Sequence, residues 1–243
     1  MKSTSETGHA KNVANFQQLI EFVTAYGSTY NPSKKSLQLP QLITQKTEAE
    51  NTLSDVLAKN TIYNSKVNER VDAFAGLRTL STRLLNTQQT TDTTAQTIAD
   101  AKTYNRKIQG KKASSAQPQT DPNAPAPNTI STSQQSYDQL IQHLSGLRSV
   151  LAAEPSYTPN ETDLQITNLE TIIANLSSKN NAVAAAYAGI SNARIARNET
   201  LYTKEDSLLE TASEVKKYIK SVFGATSPQF AQVKGLEFKK PKL

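Results

Sequence analysis

Apolar residues recur along this chain at helical spacing. Phe16, Leu19, Ile20 and Val23 fall at i, i+3, i+4 and i+7, which places them on one face of an α-helix. Gly27 and the Asn31-Pro32 turn end that helix. From Pro40, a residue suited to a first helical turn, a seam runs through Leu42, Ala49, Leu53, Val56, Asn60, Tyr63, Val67, Val71, Phe74 and Leu77. Steps of three and four keep the seam narrow, as antiparallel bundles and coiled coils require. The spacing predicts a helix about 50 Å long at 1.5 Å per residue. Leu77, Leu80, Leu84 and Leu85 open a third helical stretch, and Ile98, Ala101, Tyr104 and Ile108 extend it. The polar break between them, Asn86 to Thr94, has no apolar face to bury and reads as a loop.

The same order then returns. Tyr137, Leu140, Ile141 and Leu144 repeat the first pattern; Leu169, Ile173, Leu176, Val183, Tyr187, Ile190, Ile195 and Leu201 repeat the long seam; Leu208, Leu209, Ala212, Val215, Ile219 and Val222 form the third stretch, stopped at Gly224. Tyr30-Asn31-Pro32 faces Tyr157-Thr158-Pro159 at an offset of 127 residues, and Leu37 to Leu42 faces Leu164 to Leu169 without a gap. The offset still pairs Val56 with Val183, Arg70 with Arg197 and Phe74 with Leu201, and the match fades toward the C-terminal side. The first helices align at 121 instead, so six residues were gained or lost before the Tyr-x-Pro turn. The expectation is an all-α fold of two tandem homologous antiparallel helical bundles, elongated, with about three long helices each and an irregular C-terminal tail. The boundaries read as a mobile leader over 1–11, a first repeat over 12–110, a Pro-rich interdomain linker over 111–133, a second repeat over 134–224 and a basic tail over 225–243.

Composition narrows the shape. At 36% hydrophobic and without Trp, the chain cannot fill a thick core, whereas thin helical bundles bury only a stripe of each helix. Charge matters by its location. Through Glu214 there are 20 basic and 20 acidic residues, so the whole excess of the +6 net charge lies beyond Val215. A neutral, Arg-poor body argues against specific nucleic-acid binding. The start of the chain lacks the apolar run of a signal peptide, which suggests a cytoplasmic protein and leaves non-classical export or surface assembly open.

Candidate chemistry is sparse. With no Cys, thiolate metal sites and thiol nucleophiles are excluded. His9 lies in the leader and His143 reads as half-exposed on a helix. Glu48 with Glu50, and Glu205 with Asp206, sit among polar residues where ordinary ionisation is expected. No Gly-rich phosphate loop occurs. No catalytic, cofactor-binding or metal-binding residue is therefore assigned, no cofactor or small-molecule substrate is implied, and the chain reads as a non-enzyme.

The interaction candidates are Arg70 and Arg197, kept in both copies, and the tail residues Phe230, Val233, Leu236, Phe238, Lys239 and Lys240. The arginines either snorkel over the seam or reach a partner's carboxylates. The tail lies extended against its own bundle or a neighbouring subunit, or its lysines meet an acidic surface or anionic lipid. The run Ala182 to Ile190 is either a close helix contact made by small side chains or a membrane-inserting face, too short at nine residues to span a bilayer that needs about 20.

The paired Tyr-x-Pro-x4-Leu-Gln elements, Arg197-Asn198-x-x-Leu201-Tyr202 and the ending Val222 to Phe230 resemble an uncharacterised family of duplicated helical proteins from bacteria, over nearly the whole chain. The resemblance implies the duplication and no activity. The expected function is that of a structural or protein–protein interaction protein, self-associating through its helical bundles and its apolar, basic tail, with another copy of itself or another protein as partner; the alternative is a helical membrane-active, pore-forming-like component, and an enzyme ranks third.

Overall fold

A computed structural model describes residues 8–110 and 134–241. The Pro-rich segment 111–133, residues 1–7 of the leader, and Lys242 with Leu243 lie outside the described residues. The described residues are all-helical and hold no strand. The α-helices are α1 (His9–Ala25), α2 (Leu39–Ala75), α3 (Leu77–Gln89), α4 (Ala95–Gln109), α5 (Tyr137–Ala152), α6 (Ile166–Asn198), α7 (Leu208–Phe223) and α8 (Pro228–Lys234). Short 3₁₀ turns at Gly27–Thr29, Lys35–Leu37 and Thr162–Leu164, and a π turn at Glu199–Thr203, connect them. Two expectations shift here. The Thr-rich break is shorter than its composition suggests, because α3 continues through Gln89. The leader reaches less far, because α1 begins at His9.

Local chemistry sets the helix ends. Thr94 accepts a hydrogen bond from the Thr97 amide to start α4, Ser136 does so from Gln139 for α5, and Ser227 from Phe230 for α8, with Pro228 in its first turn. Gly110 closes α4 at φ +71°, a left-handed conformation that favours glycine. The two Tyr-x-Pro turns have one geometry. Tyr30 donates its hydroxyl to the Leu37 carbonyl at 2.7 Å, and Tyr157 donates to Leu164 at 3.0 Å. Gln38 donates to Pro32 and Gln165 to Pro159, each at 3.4 Å. Burial, aided by Glu161 and Asp163, pushes the Tyr157 hydroxyl up to about 12.

The chain divides into two compact units, and neither is one of the sequence repeats. The first takes the chain up to Tyr63 and from Ala186 onward; the second takes Asn64–Ala185. Both boundaries fall inside the long helices α2 and α6. The flanks of segment 111–133, Gly110 and Gln134, both belong to the second unit, so that segment does not link the units. In the first unit Phe16, Leu19, Leu42, Leu201, Leu208, Val215 and Ile219 form the core. In the second, Phe74, Leu84, Ile108, Leu144, Leu147, Leu169 and Leu176 do so. Each fully buried Leu or Ile of these sets contributes about 1.5–3 kcal/mol. In the second unit α5 lies so close to α4 that a Cβ on Gly146 would fall 2.2 Å from the Tyr104 ring.

Burial keeps the 127-residue register where residue identity does not. Leu42 and Leu169, Ala49 and Leu176, and Phe74 and Leu201 are all buried. So are Ser81, Leu84, Leu85 and Gln88 of α3 and their counterparts Leu208, Thr211, Ala212 and Val215 of α7. The first helices also end in this register, at Ala25 and Ala152, five residues before each tyrosine. Any six residues gained or lost before the Tyr-x-Pro turn therefore do not lie between the helix end and the turn.

Gln88 stands where α7 has Val215, and both atoms of its buried amide lack a hydrogen-bond partner among the described residues. An unpaired buried polar group costs about 1–3 kcal/mol. Gln88→Leu, close in volume, is therefore expected to raise the stability of the second unit by about 1–2 kcal/mol. Urea unfolding followed by circular dichroism checks this, and a lowered midpoint would show that the amide has an unseen partner.

Candidate functional site

The C-terminal residues 228–240 gather most of the interaction candidates at one place in the first unit. The face that receives them is made by α1 and α7. On α7, Leu208, Thr211, Ala212, Val215 and Ile219 recur at helical spacing and are buried. On α1, Asn12 and Asn15 interrupt the stripe formed by Val13, Phe16, Leu19, Ile20 and Val23, and both are buried. Buried amides need partners, and the tail supplies them.

Asn12 pairs with the main chain of Lys239 in both directions: its Nδ2 donates to the carbonyl at 2.7 Å and its Oδ1 accepts from the amide at 3.0 Å. Asn15 donates to the Glu237 carbonyl at 2.6 Å, and the Lys216 ammonium donates to the Leu236 carbonyl. Val233 and Leu236 are buried in the first core. Phe238 meets Phe16 edge-on at 6.5 Å between ring centres, with Lys216 Nζ 5.1 Å from its own ring centre. Phe230 packs against the core beneath Lys220, 5.8 Å from the ring centre. Burial lowers the pKa of Lys216, and the Glu237 carboxylate opposes that shift. Lys239 pairs with Glu237 at 2.8 Å, while Lys240 is exposed. The tail thus docks on its own chain.

A second polar knot adjoins it. His9 Nδ1 lies 2.7 Å from the Tyr202 hydroxyl, which also accepts from Asn12 Nδ2 at 3.1 Å. Tyr202 sits in the π turn, and Arg197 beside it donates from Nε and Nη2 to Asn198 Oδ1 at 3.1 and 2.8 Å. Burial, with the Arg197 charge, lowers the His9 pKa.

The two arginines have different surroundings. Arg70 belongs to the second unit, where its guanidinium lies 4.0 Å over the Tyr137 ring and donates to Asn180 Oδ1 at 3.0 Å. Both are engaged within the chain, and nothing brings them to one site. The acid pair Glu205–Asp206 borders an open cleft of about 230 Å³ in the first unit, with Ser36, Gln45, Glu48 and Lys204. Lys34 bridges Asp206 and Glu214 at 2.8 and 2.7 Å, and Lys204 lies 3.7 Å from Glu48, while Glu205 has no ion pair among the described residues. Within the run Ala182–Ile190, Val183 and Ile190 are buried and Tyr187 is exposed. Among the described residues no three potential metal ligands gather, and no helix is long and apolar enough to cross a membrane.

His143 is buried, not half-exposed, with Nε2 unpartnered. Burial and the nearby Lys107 charge lower its pKa, outweighing a raising contact with the Gln134 backbone. Both histidines are thus neutral in the folded chain at pH values where the unfolded chain begins to protonate. A depressed folded-state pKa makes stability complete above about 6.5, the unfolded value. It declines as pH falls below that, until the folded-state pKa is reached. Unfolding free energies from urea titrations at pH 7.5 and 5.5 should therefore differ, by at most about 1.4 kcal/mol per histidine for each pH unit below about 6.5, and His143→Leu should reduce the difference.

No family model, curated protein or solved structure matches this chain.

Proposed function

We propose that this chain is a non-enzymatic structural protein that associates with further copies of itself, built by duplication of one helical segment. The observation that carries the association is the set of large apolar side chains left in solvent on the long helices. In the first unit, Leu57 is 68% exposed, Tyr187 59%, Ile195 52% and Ile62 47%. One exposed apolar side chain is ordinary on a protein surface, but the number of large ones on α2 and α6 within one unit supports burial against a partner. A second copy is the occupant favoured by the architecture, because each core is already closed by segments from both repeats.

Support for the duplication comes from the two like Tyr-x-Pro turns, which also carry part of the resemblance to duplicated bacterial helical proteins, and from the common burial register. Contacts in the first unit run Glu48 with Lys204, Lys59 beside Gly189 and Tyr63 with Tyr187; in the second, Glu69 with Lys179 and Arg70 with Asn180. In the first unit the falling partner numbers support an antiparallel course for α2 and α6. Mass photometry and sedimentation over a range of concentrations test the association. Oligomers are expected, and Leu57→Lys with Ile195→Lys should weaken them about tenfold or more. A strict monomer throughout would remove the proposal.

A further inference from the structure

We infer that the face of α1 and α7 is an acceptor for an extended peptide segment, and that a second copy of this chain can supply it with residues 236–240 in exchange for the chain's own. This rests on the self-association proposed above and names the contact through which it occurs.

The acceptor reads a segment in the way a strand is read. Main-chain groups of alternate residues, 237 and 239, are taken by Asn15 and Asn12, three residues apart on α1. The side chains of the other alternate residues, Leu236 and Phe238, turn inward onto the core. Glu237 and Lys239 turn outward and pair with each other. Lys216, from α7, holds the carbonyl at the start of the segment. Main-chain hydrogen bonds supply affinity in such a site, and pockets for alternate side chains supply selectivity. None of these contacts depends on which copy the segment belongs to.

Two features make exchange the natural partner of this site. The first is that the acceptor cannot be left empty without cost. Asn12 and Asn15 are buried, and withdrawal of the segment would strip the main-chain partners from both amides. The second is the way the arm is attached. After α7 the chain turns at Gly224, with φ +92° and ψ 156°, and Ser227 closes the turn by donating its amide and hydroxyl to the Gly224 carbonyl at 3.3 and 2.9 Å. Other residues rarely adopt that conformation, whereas glycine leaves it for an extended one without steric penalty. Opening this turn, with release of Val233 and Leu236 from the core and of the Gln229 carbonyl from Tyr26, frees α8 and the segment together as one arm. The arm makes identical contacts on a neighbour, so only the turn and the local concentration distinguish the two seats. Reciprocal exchange gives a closed two-fold dimer, and head-to-tail exchange an open chain.

Deleting Ala225 and Thr226 tests this, because it removes the turn and keeps every residue of the arm. The shortened arm cannot return to its own acceptor but can reach a neighbour's. Sedimentation should show the oligomeric fraction rising about tenfold at equal concentration, with helicity by circular dichroism retained. Adding Phe238→Asp to the deletion should abolish those oligomers. As a second measurement, a labelled peptide of residues 226–243 should bind the full-length Phe238→Asp chain, whose own segment is held without the Phe238 ring, at least about tenfold more tightly than the wild-type chain. A deletion variant that is monomeric or unfolded at every concentration would overturn the exchange, as would a peptide that does not bind. Wild-type oligomers unchanged by Phe238→Asp would overturn the exchange while leaving self-association standing. Monomers in every variant would overturn both.

Discussion

Removing residues 225–243 is expected to unfold the first unit and leave the second folded. Val233 and Leu236 are buried in the first core, and losing them withdraws about 1.5–3 kcal/mol each. Asn12 and Asn15 are left with unpaired amides at about 1–3 kcal/mol apiece. Phe16 loses the aromatic edge of Phe238 as well. The sum exceeds about 5 kcal/mol, the lower end of the whole stability of an ordinary domain. No side chain of the second core depends on the tail. Urea unfolding followed by circular dichroism should lose its contribution from the first unit and keep that of the second. A truncated chain with the full helical signal and an unchanged midpoint would show that the tail merely rests on the surface.

The C-terminal segment also shows where periodicity stops being informative. Its apolar residues and its basic excess are plain in the sequence, but α8 has seven residues, too few to establish a helical face. The acceptor was harder to see. Asn12 and Asn15 fall on the same stripe as Phe16 and Leu19, where polar residues ordinarily count against burial. Two amides breaking one apolar face are a sign of a buried main-chain partner, and that is the signal by which the site could have been found. Gln88 and His143 are also buried and polar, but the Gln88 amide and His143 Nε2 have no partner among the described residues, so the same signal there marks no acceptor.

The helical class and the long helices were legible because a seam sustained over ten turns leaves few alternatives. The Tyr-x-Pro turns were legible because proline and a tyrosine hydroxyl act within seven residues. The composition of the units was not. A helical pattern specifies which face is buried and says nothing of what buries it. Neighbouring segments are the first guess, but α2 has 37 residues and α6 has 33, and both pass from one unit into the other. Helices of that length carry the chain away from its nearest neighbours in sequence before the next turn, and each core is closed by segments from both halves of the chain.

A cut within segment 111–133 decides between this arrangement and two tandem bundles. With a protease site placed there and cleaved, the two halves are expected to stay together. The first core needs Phe16, Leu19 and Leu42 from the N-terminal half and Leu201, Leu208, Val215 and Ile219 from the C-terminal half. The second needs Leu84, Leu85 and Ile108 from the one and Leu144, Leu147 and Leu169 from the other. The flanks of the cut are themselves fastened: Gln135 donates to the Lys107 carbonyl at 2.6 Å and accepts from Arg78 at 3.3 Å. Native mass spectrometry of the nicked protein should give the mass of the whole, with the far-ultraviolet spectrum of the intact chain. Halves separated in urea and returned to buffer singly should lack most of that helicity, because each would expose half of two cores, and mixing should restore it. Tandem bundles would behave in the opposite way, parting on cleavage into two folded fragments. Nicking should also make the unfolding midpoint depend on concentration, since association of the halves then becomes bimolecular.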